Sequence, residues 1–327
     1  MARVRWGVLS TANIGVGKVI PAMQRAEHAE VVAIASRDEQ RAREVADSLG
    51  IPRAHGSYEA LLDDPEVDAV YVPLPNHLHV EWSTRALEAG KHVLCEKPIG
   101  MGADESRKLQ AVGEAHPELK LMEAFMYRHH PQWVETKRLV DSGEIGTLKS
   151  IQAAFSYDNR DPHNIRNQAD IGGGGLMDIG CYPISVARFL FAGEPTGIAA
   201  SIEFDPDLGI DSYGNVLMEF ADGAATFVYS TQLEPFQRVN VLGTGGRIEV
   251  VVPFNAPADR PCVLNVQKGG EEVRVELPTA DQYTVQAELM SHAILEDGPV
   301  PTPFSDAVAN MEAIERCFAS ARARSWA

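Results

Sequence analysis

The sequence is short of positive charge, of cysteine and of long apolar runs, and each shortage closes off a class of function. Lysine and arginine number 29 against 46 aspartates and glutamates, which leaves a net charge of −17 over 327 residues. A surface of that sign has too few cations to neutralise the phosphates of a nucleic acid or to dock on an anionic membrane. Neither partner is expected, although a local basic pocket for a small anion can sit inside an acidic protein. The four cysteines, Cys95, Cys181, Cys262 and Cys317, lie far apart and form no metal-type pair. They are expected to be buried packing residues in a reducing compartment. No histidine or aspartate pair has convincing ligand spacing, so no metal is expected. No stretch approaches the ~20 apolar residues of a transmembrane helix. The chain opens directly into Val4 to Leu9, without the charged leader and apolar core of a signal peptide. A cytoplasmic protein is the expectation.

What is present is ordinary globular composition, 45% hydrophobic and 23% charged, in a chain long enough for two domains. Up to about residue 125, short β-rich runs alternate with amphipathic helical stretches, the pattern of βαβ units and a parallel sheet. Strands are predicted at Val4–Leu9, Glu30–Ala35, Asp68–Val72, His92–Cys95 and Lys120–Ala124. Helices are predicted at Gly15–Ala26, Glu39–Leu49, Ser57–Leu62, His77–Ala89 and Asp104–Ala115. After Phe125 the pattern changes. A polar loop from Tyr157 to Gly175 and a helix near Met177–Leu190 precede a series of strands between Gly197 and Leu277 with no helices among them. The fold class is therefore α/β: a Rossmann-type, doubly wound parallel sheet in residues 1–125, then an α+β domain in 126–327 with a large, mostly antiparallel open sheet. An exposed apolar sheet face needs a cover, so a homodimer or homotetramer built through that sheet is expected.

The first strand ends in Ser10-Thr11-Ala12-Asn13-Ile14-Gly15. A dinucleotide fingerprint places glycines at three positions of such a turn. Here they are Ser10, Ala12 and Gly15, small residues that still admit a pyrophosphate to the helix N-terminus. The second strand ends in Ser36-Arg37, where an NAD site usually has a carboxylate for the ribose hydroxyls. A hydroxyl and a guanidinium suit a 2′-phosphate instead, with Arg41 one helical turn on. NADP(H) is therefore preferred, with NAD(H) possible. Gly15-Val16-Gly17-Lys18 is not a P-loop, because Val19 stands where a magnesium-binding hydroxyl belongs.

Glu96-Lys97-Pro98 follows the strand His92–Cys95, and the carboxyl ends of parallel strands face the ligand crevice. Further on, Gly172-Gly173-Gly174-Gly175 leads to Asp178 and Tyr182, four apart and on one face of a helix. The glycines are expected to let backbone approach a ligand closely. In the polar loop, Arg166 and His163 are the candidates for substrate hydroxyls. His79, beside the third long strand, is a candidate for the nicotinamide side, and His129-His130 are expected to be structural.

Taken with Glu123-Ala124-Phe125-Met126-Tyr127-Arg128 and Asn164-Ile165-Arg166, these motifs make the chain resemble, over nearly its whole length, the glucose–fructose oxidoreductase / inositol dehydrogenase (Gfo/Idh/MocA) family. Tyrosine rather than histidine at position 182 is similar to the branch with dimeric dihydrodiol dehydrogenases and NADP-dependent xylose dehydrogenases. The resemblance implies Lys97 and Tyr182 as the catalytic pair, with Asp178 holding substrate. It also implies that Pro73, Leu74, Asn76, Glu96, Arg128 and Tyr283 lie near the cofactor. A free phenol has a pKa near ~10, and a neighbouring ammonium favours its ionised form. The expected function is hydride transfer between the nicotinamide and a small polyhydroxylated substrate, a sugar or cyclic diol, with Tyr182 handling the proton. The alternative is a cofactor-binding sensor without turnover, against which the presence of both Lys97 and Tyr182 argues.

Overall fold

Six short strands align into one all-parallel sheet in the computed structural model of the protein, which describes residues 2–323. They are β1 (Val4–Leu9), β2 (Ala29–Ala35), β3 (Arg53–His55), β4 (Ala69–Val72), β5 (His92–Cys95) and β6 (Leu121–Glu123). Their order is β3-β2-β1-β4-β5-β6, and every neighbouring pair is parallel. The order reverses between β1 and β4, so the loops leaving those two strands diverge and open a crevice at their carboxyl ends. β4 is buried at every residue, as a sheet covered on both faces requires. β3, three half-buried residues at the edge, carries no pattern a sequence reading would detect.

Helix Glu39–Leu49 begins where Asp38 accepts the Arg41 N–H and ends at Gly50 with φ 67°, the two end signals seen in the sequence. The helix expected over Gly15–Ala26 is built differently. It starts at Asn13 and Ile14, widens to a π turn over Gly15–Val19 and returns to α-helix over Ile20–Met23. Pro21 has no N–H to give and its ring crowds the carbonyl four residues back, and a widened turn relieves that crowding.

The first compact unit takes in the chain to Met126 and also Asp281–Val308, so it extends beyond the residues read as the first domain. Helix Gln282–Leu295 joins it through specific contacts. Trp6 Nε1 donates to Ser291 Oγ at 3.1 Å, Thr284 Oγ1 donates to the Ala22 carbonyl at 3.0 Å, and Arg25 pairs with Asp281 at 2.5 Å. Ala287 and Met290 of that helix share one core with Trp6, Met23, Ile34 and Leu94.

The second unit comprises Tyr127–Ala280 and the chain from Ala309 on. Its strands are β7 (Leu148–Asp158), β8 (Gly197–Phe204), β9 (Asp211–Phe220), β10 (Gly223–Ser230), β11 (Gln232–Gly243), β12 (Gly246–Val250), β13 (Val263–Lys268) and β14 (Glu271–Glu276). They form one sheet in the order β14-β13-β12-β11-β7-β10-β9-β8. All neighbours are antiparallel except β7 and β10. The expected fold class is thus observed. Val216, Met218 and Phe220 of β9 are buried while Asn215, Leu217 and Glu219 are exposed, the alternation of a sheet with one solvated face. The open face is less apolar than expected. The row paired through Leu217 reads Ala199, Leu217, Thr226, Gln152, Asn240, Glu249, Asn265 and Arg274. Among the described residues no helix is long and apolar enough to cross a membrane.

Trp6 is fully buried and carries the hydrogen bond that seats the returning helix. Trp6→Ala should therefore lower the unfolding free energy by about 3–5 kcal/mol, measured by urea denaturation.

Candidate active site

In the first unit the turn after β1 takes the shape that its missing glycine would give. Ser10 adopts φ 125°, a conformation rare outside glycine. Its hydroxyl helps to hold it there, donating to the Pro73 carbonyl at 3.2 Å and accepting the Ala12 N–H at 3.2 Å. Thr11 and Ala12 follow outside regular structure and the helix starts at Asn13 and Ile14. Unpaired N–H groups at such a start, with the positive end of the helix dipole, favour an anion.

At the end of β2, Ser36 is half-buried, and Arg37 and Arg41 are exposed. Asp38, the nearest carboxylate in sequence, is turned into the helix it caps, where Oδ1 accepts the Arg41 N–H at 3.1 Å. Burial raises the Tyr58 phenol pKa, and the Arg37 guanidinium beside it works the other way. The strand end is therefore marked by a guanidinium whose nearest sequence carboxylate is already engaged.

The loops after β4 and β5 are held together from beneath. Pro73 and Leu74 are buried, Asn76 is half-buried, and Glu96 Oε1 accepts the Tyr71 hydroxyl at 2.6 Å. His79 was expected to reach toward the nicotinamide, but both of its ring nitrogens are turned onto backbone. Nδ1 lies 2.8 Å from the Pro98 carbonyl and Nε2 2.7 Å from the Leu74 carbonyl, in a side chain only 1% exposed. Burial, aided by the charge of Lys97, outweighs the two carbonyls and pushes its pKa down to about 4. The neutral ring donates its one N–H to one of the two carbonyls and packs against the other, between the Leu74 loop and the loop that carries Lys97. Tyr283, at the first turn of helix Gln282–Leu295, packs against the core of this unit, its N–H bonded to Asp281.

The second unit gathers the other candidates. The expected helix around Asp178 and Tyr182 begins as a π turn over Leu176–Gly180 and becomes α-helix over Cys181–Phe191. Pro183 gives the reason, as Pro21 does in the first unit. Asp178 receives the Tyr157 hydroxyl on Oδ2 at 2.6 Å and Arg166 Nε on Oδ1 at 3.1 Å. The Arg166 pKa is raised, chiefly by Asp178, with Tyr157 and Tyr182 adding to the effect. Tyr182 is buried among Phe254, Tyr127 and Phe155, with ring centroids 5.2, 5.7 and 5.7 Å away. Arg128 is buried and bonded to Ser185, three residues after Tyr182, through Nε at 3.1 Å and Nη2 at 2.9 Å. His163 is exposed and its backbone N–H bonds Asp161. His130 is structural as expected: it caps helix Pro131–Asp141 by accepting the Gln132 N–H.

Three glycines of the run lie in close approach to the protein itself. A Cβ on Gly173 would meet the Gln168 and Arg166 carbonyls at 2.6 and 2.7 Å, and one on Gly174, at φ 123°, would meet Asp211 Oδ1 at 2.1 Å. A Cβ on Gly175 or Gly214 would strike the Tyr229 ring at 2.8 and 2.5 Å. The glycines make room for the protein's own loop, for Asp211 and for Tyr229. Asp211 Oδ2 accepts the Leu176 N–H at 2.7 Å and the Tyr229 hydroxyl at 2.8 Å, which fixes the start of the π turn. Tyr157, Asp211 and Tyr229 were not singled out in the sequence. Their roles rest on contacts with residues far along the chain, and no local pattern marks them.

Residues 4–125 match the model of an oxidoreductase family with an NAD-binding Rossmann fold, and residues 133–249 match the GFO/IDH/MocA C-terminal domain. The chain belongs to the GFO/IDH/MocA oxidoreductase family. It is 42% identical to a D-xylose 1-dehydrogenase (NADP(+)) of Haloferax volcanii, over 97% of each chain. It superposes with a TM-score of 0.90 on a 3-ketoreductase from Actinomadura kijaniata solved in complex with NADP and TDP-benzene, at 33% identity, covering 97% of this chain and 98% of that one. An aldose–aldose oxidoreductase from Caulobacter crescentus gives a TM-score of 0.92 at 25% identity, over 98% of each chain. The donor set at the ends of β1 and β2, with Ser10 already in a glycine conformation, fits the dinucleotide that this GFO/IDH/MocA Rossmann domain implies.

Asp211 yields a pH prediction. Burial, with the charge of Asp178 adding to it, pushes its pKa from 3.8 to about 7. Between those values the folded protein holds a proton that the unfolded chain releases, so this group's contribution to stability falls as pH rises from about 4 to about 7. Asp211→Asn should flatten the pH dependence of urea midpoints across that window. An unchanged slope would show that Asp211 is ionised in the folded protein.

Proposed function

We propose that the protein is an NADP(H)-dependent oxidoreductase that transfers hydride between the nicotinamide and a CH–OH/C=O carbon of a sugar or related cyclic diol. The observation that carries this reading is the chain Tyr157–Asp178–Arg166 beside Tyr182. A fixed carboxylate and a guanidinium next to a buried phenol suit the recognition of adjacent hydroxyls and the movement of one proton. Bound NADP(H) supplies the hydride acceptor or donor.

Each residue then has a task. Ser10 to Ile14 receive the pyrophosphate at the helix start. Ser36, Arg37 and Arg41 take the 2′-phosphate, where a guanidinium binds and an aspartate would repel. Pro73, Leu74, Asn76, Glu96 and Tyr283 bound the nicotinamide side, and Arg128 acts through Ser185 by anchoring the helix of Tyr182. Tyr182 removes the hydroxyl proton in oxidation and returns it in reduction, and the Lys97 ammonium favours the phenolate. Asp178 and Arg166 orient the substrate, with His163 at the exposed rim. The xylose dehydrogenase and the aldose oxidoreductase support a sugar-type substrate, and the xylose dehydrogenase and the ketoreductase support NADP. Four buried cysteines, in no disulfide among the described residues, suit a reducing cytoplasm.

Fluorescence titration with NADPH and NADH, followed by a panel of pyranoses, inositols, dicarbonyls and trans-diols, tests this. NADPH should bind more tightly than NADH, and Tyr182→Phe should keep that binding while lowering turnover by about 10²–10⁴-fold. NADPH binding without turnover of any panel member would favour the sensor, and no binding of either cofactor would end the proposal.

The open face of the eight-stranded sheet is proposed as the surface that pairs two copies into a homodimer or homotetramer. Leu217 on β9 and the half-exposed Phe204 on β8 and Phe236 on β11 support it. Light scattering should return at least twice the 35.6 kDa of the chain. A monomer at micromolar concentration would contradict the assignment.

A further inference from the structure

Outside the residues given tasks above, one side-chain cluster among the described residues has the composition of a metal centre. His28 precedes β2, and Glu288 and His292 lie one turn apart on helix Gln282–Leu295. His28 Nδ1 is in hydrogen-bond contact with Glu288 Oε1, and the His28 backbone N–H donates to Oε2 of the same carboxylate at 3.0 Å. His292 Nε2 lies 3.4 Å from that Oε1. The two imidazoles face each other with centroids 4.3 Å apart. One ligand atom from each of the three residues falls within 4.8 Å of the others.

Two further features bear on ligation. His292 Nδ1, the nitrogen turned away from the cluster, lies 3.5 Å from Glu296 Oε1. A carboxylate on the far nitrogen of a ligating histidine is the usual outer partner that fixes its tautomer and orientation. His28 and Glu288 are also largely shielded, with side chains 16% and 26% exposed, while the His292 side is open at 43%. Two imidazoles and two carboxylates thus gather at one place.

We propose that His28, Glu288 and His292 bind one divalent transition-metal ion of the zinc, nickel or copper type, with Glu296 as the outer partner of His292 and water completing the shell. Two imidazoles and one carboxylate select such an ion over magnesium or calcium, which take all-oxygen shells. Sequence spacing conceals the site, because the histidines come from opposite ends of the chain. The ion would staple the start of β2 to a helix that reaches the first unit only after the chain has built most of the second. Because the unfolded chain has no such site, binding would stabilise the folded state.

The test uses the full chain stripped with a chelator and titrated with Zn²⁺ by calorimetry, with thermal melts in parallel. One equivalent should bind with micromolar or tighter affinity and raise Tm by roughly 5 °C at a hundredfold excess over Kd. His28→Ala and His292→Ala should each abolish that equivalent and the Tm rise, and Glu296→Gln should weaken binding by about 10–100-fold. His292 is on the open side, so His292→Ala should leave the metal-free melt unchanged and separates lost ligation from lost folding. Absence of a one-equivalent event, or its survival in both histidine variants, would overturn the proposal. Neither readout involves turnover, so the outcome is independent of the proposed oxidoreductase activity.

Discussion

The parallel pairing of β1 with a neighbour on each side is the constraint on which the first unit depends. Such a strand cannot be followed by a hairpin, so the chain must leave the sheet and cross over it. With β2 on one side and β4 on the other, the crossovers diverge at their carboxyl ends. The turn after β1 must therefore be tight whatever residues occupy it. Ser10 meets that demand at φ 125°, at a cost of about 1–3 kcal/mol for a residue with a Cβ. Its hydroxyl offsets part of this by bonding the β4 loop at Pro73 and the turn's own Ala12 N–H. Glycine would ease the backbone but cut the link between the two loops at the switch point. The degraded fingerprint is thus a different solution to the same geometry.

The same sheet explains why much of the first unit is legible in the sequence. Strands buried on both faces read as apolar runs, and helices that return along the sheet carry end signals. Asp38 and Gly50 bracket one helix, and Ser57 caps another by accepting the Ala60 N–H. These signals are local and need no knowledge of tertiary structure. The π turns are legible in hindsight only, because Pro21 and Pro183 show that regular helix is disturbed without showing how.

What escaped the sequence depends on contacts between distant residues. Helix Gln282–Leu295 was read correctly as a helix, but nothing local says that Ser291 meets Trp6 or that its residues complete the first core. His79 was assigned by its nearness to a functional loop, whereas both of its nitrogens serve the backbone beneath that loop. The glycine run was read as room for a ligand. Glycine records that something comes close, and only the fold says that it is Asp211, Tyr229 and the loop of Arg166.

Asp178 and Asp211 flank the same turn and have opposite surroundings, which divides the work between them. Asp178 is partly open and accepts from a phenol on one oxygen and a guanidinium on the other. Both partners bond its oxygens directly, and the proposed function uses this carboxylate to orient a hydroxyl-bearing ligand. Asp211 is 2% exposed, has no guanidinium among its partners, and holds its proton up to about pH 7. A second buried anion at this turn would oppose Asp178, and burial prevents it from forming through most of the acidic range. Because Asp211 fixes the Leu176 N–H, the position of Asp178 is set by a group that does not compete with its charge. Two carboxylates of the same chemistry can thus share one turn, one supplying charge and the other supplying position.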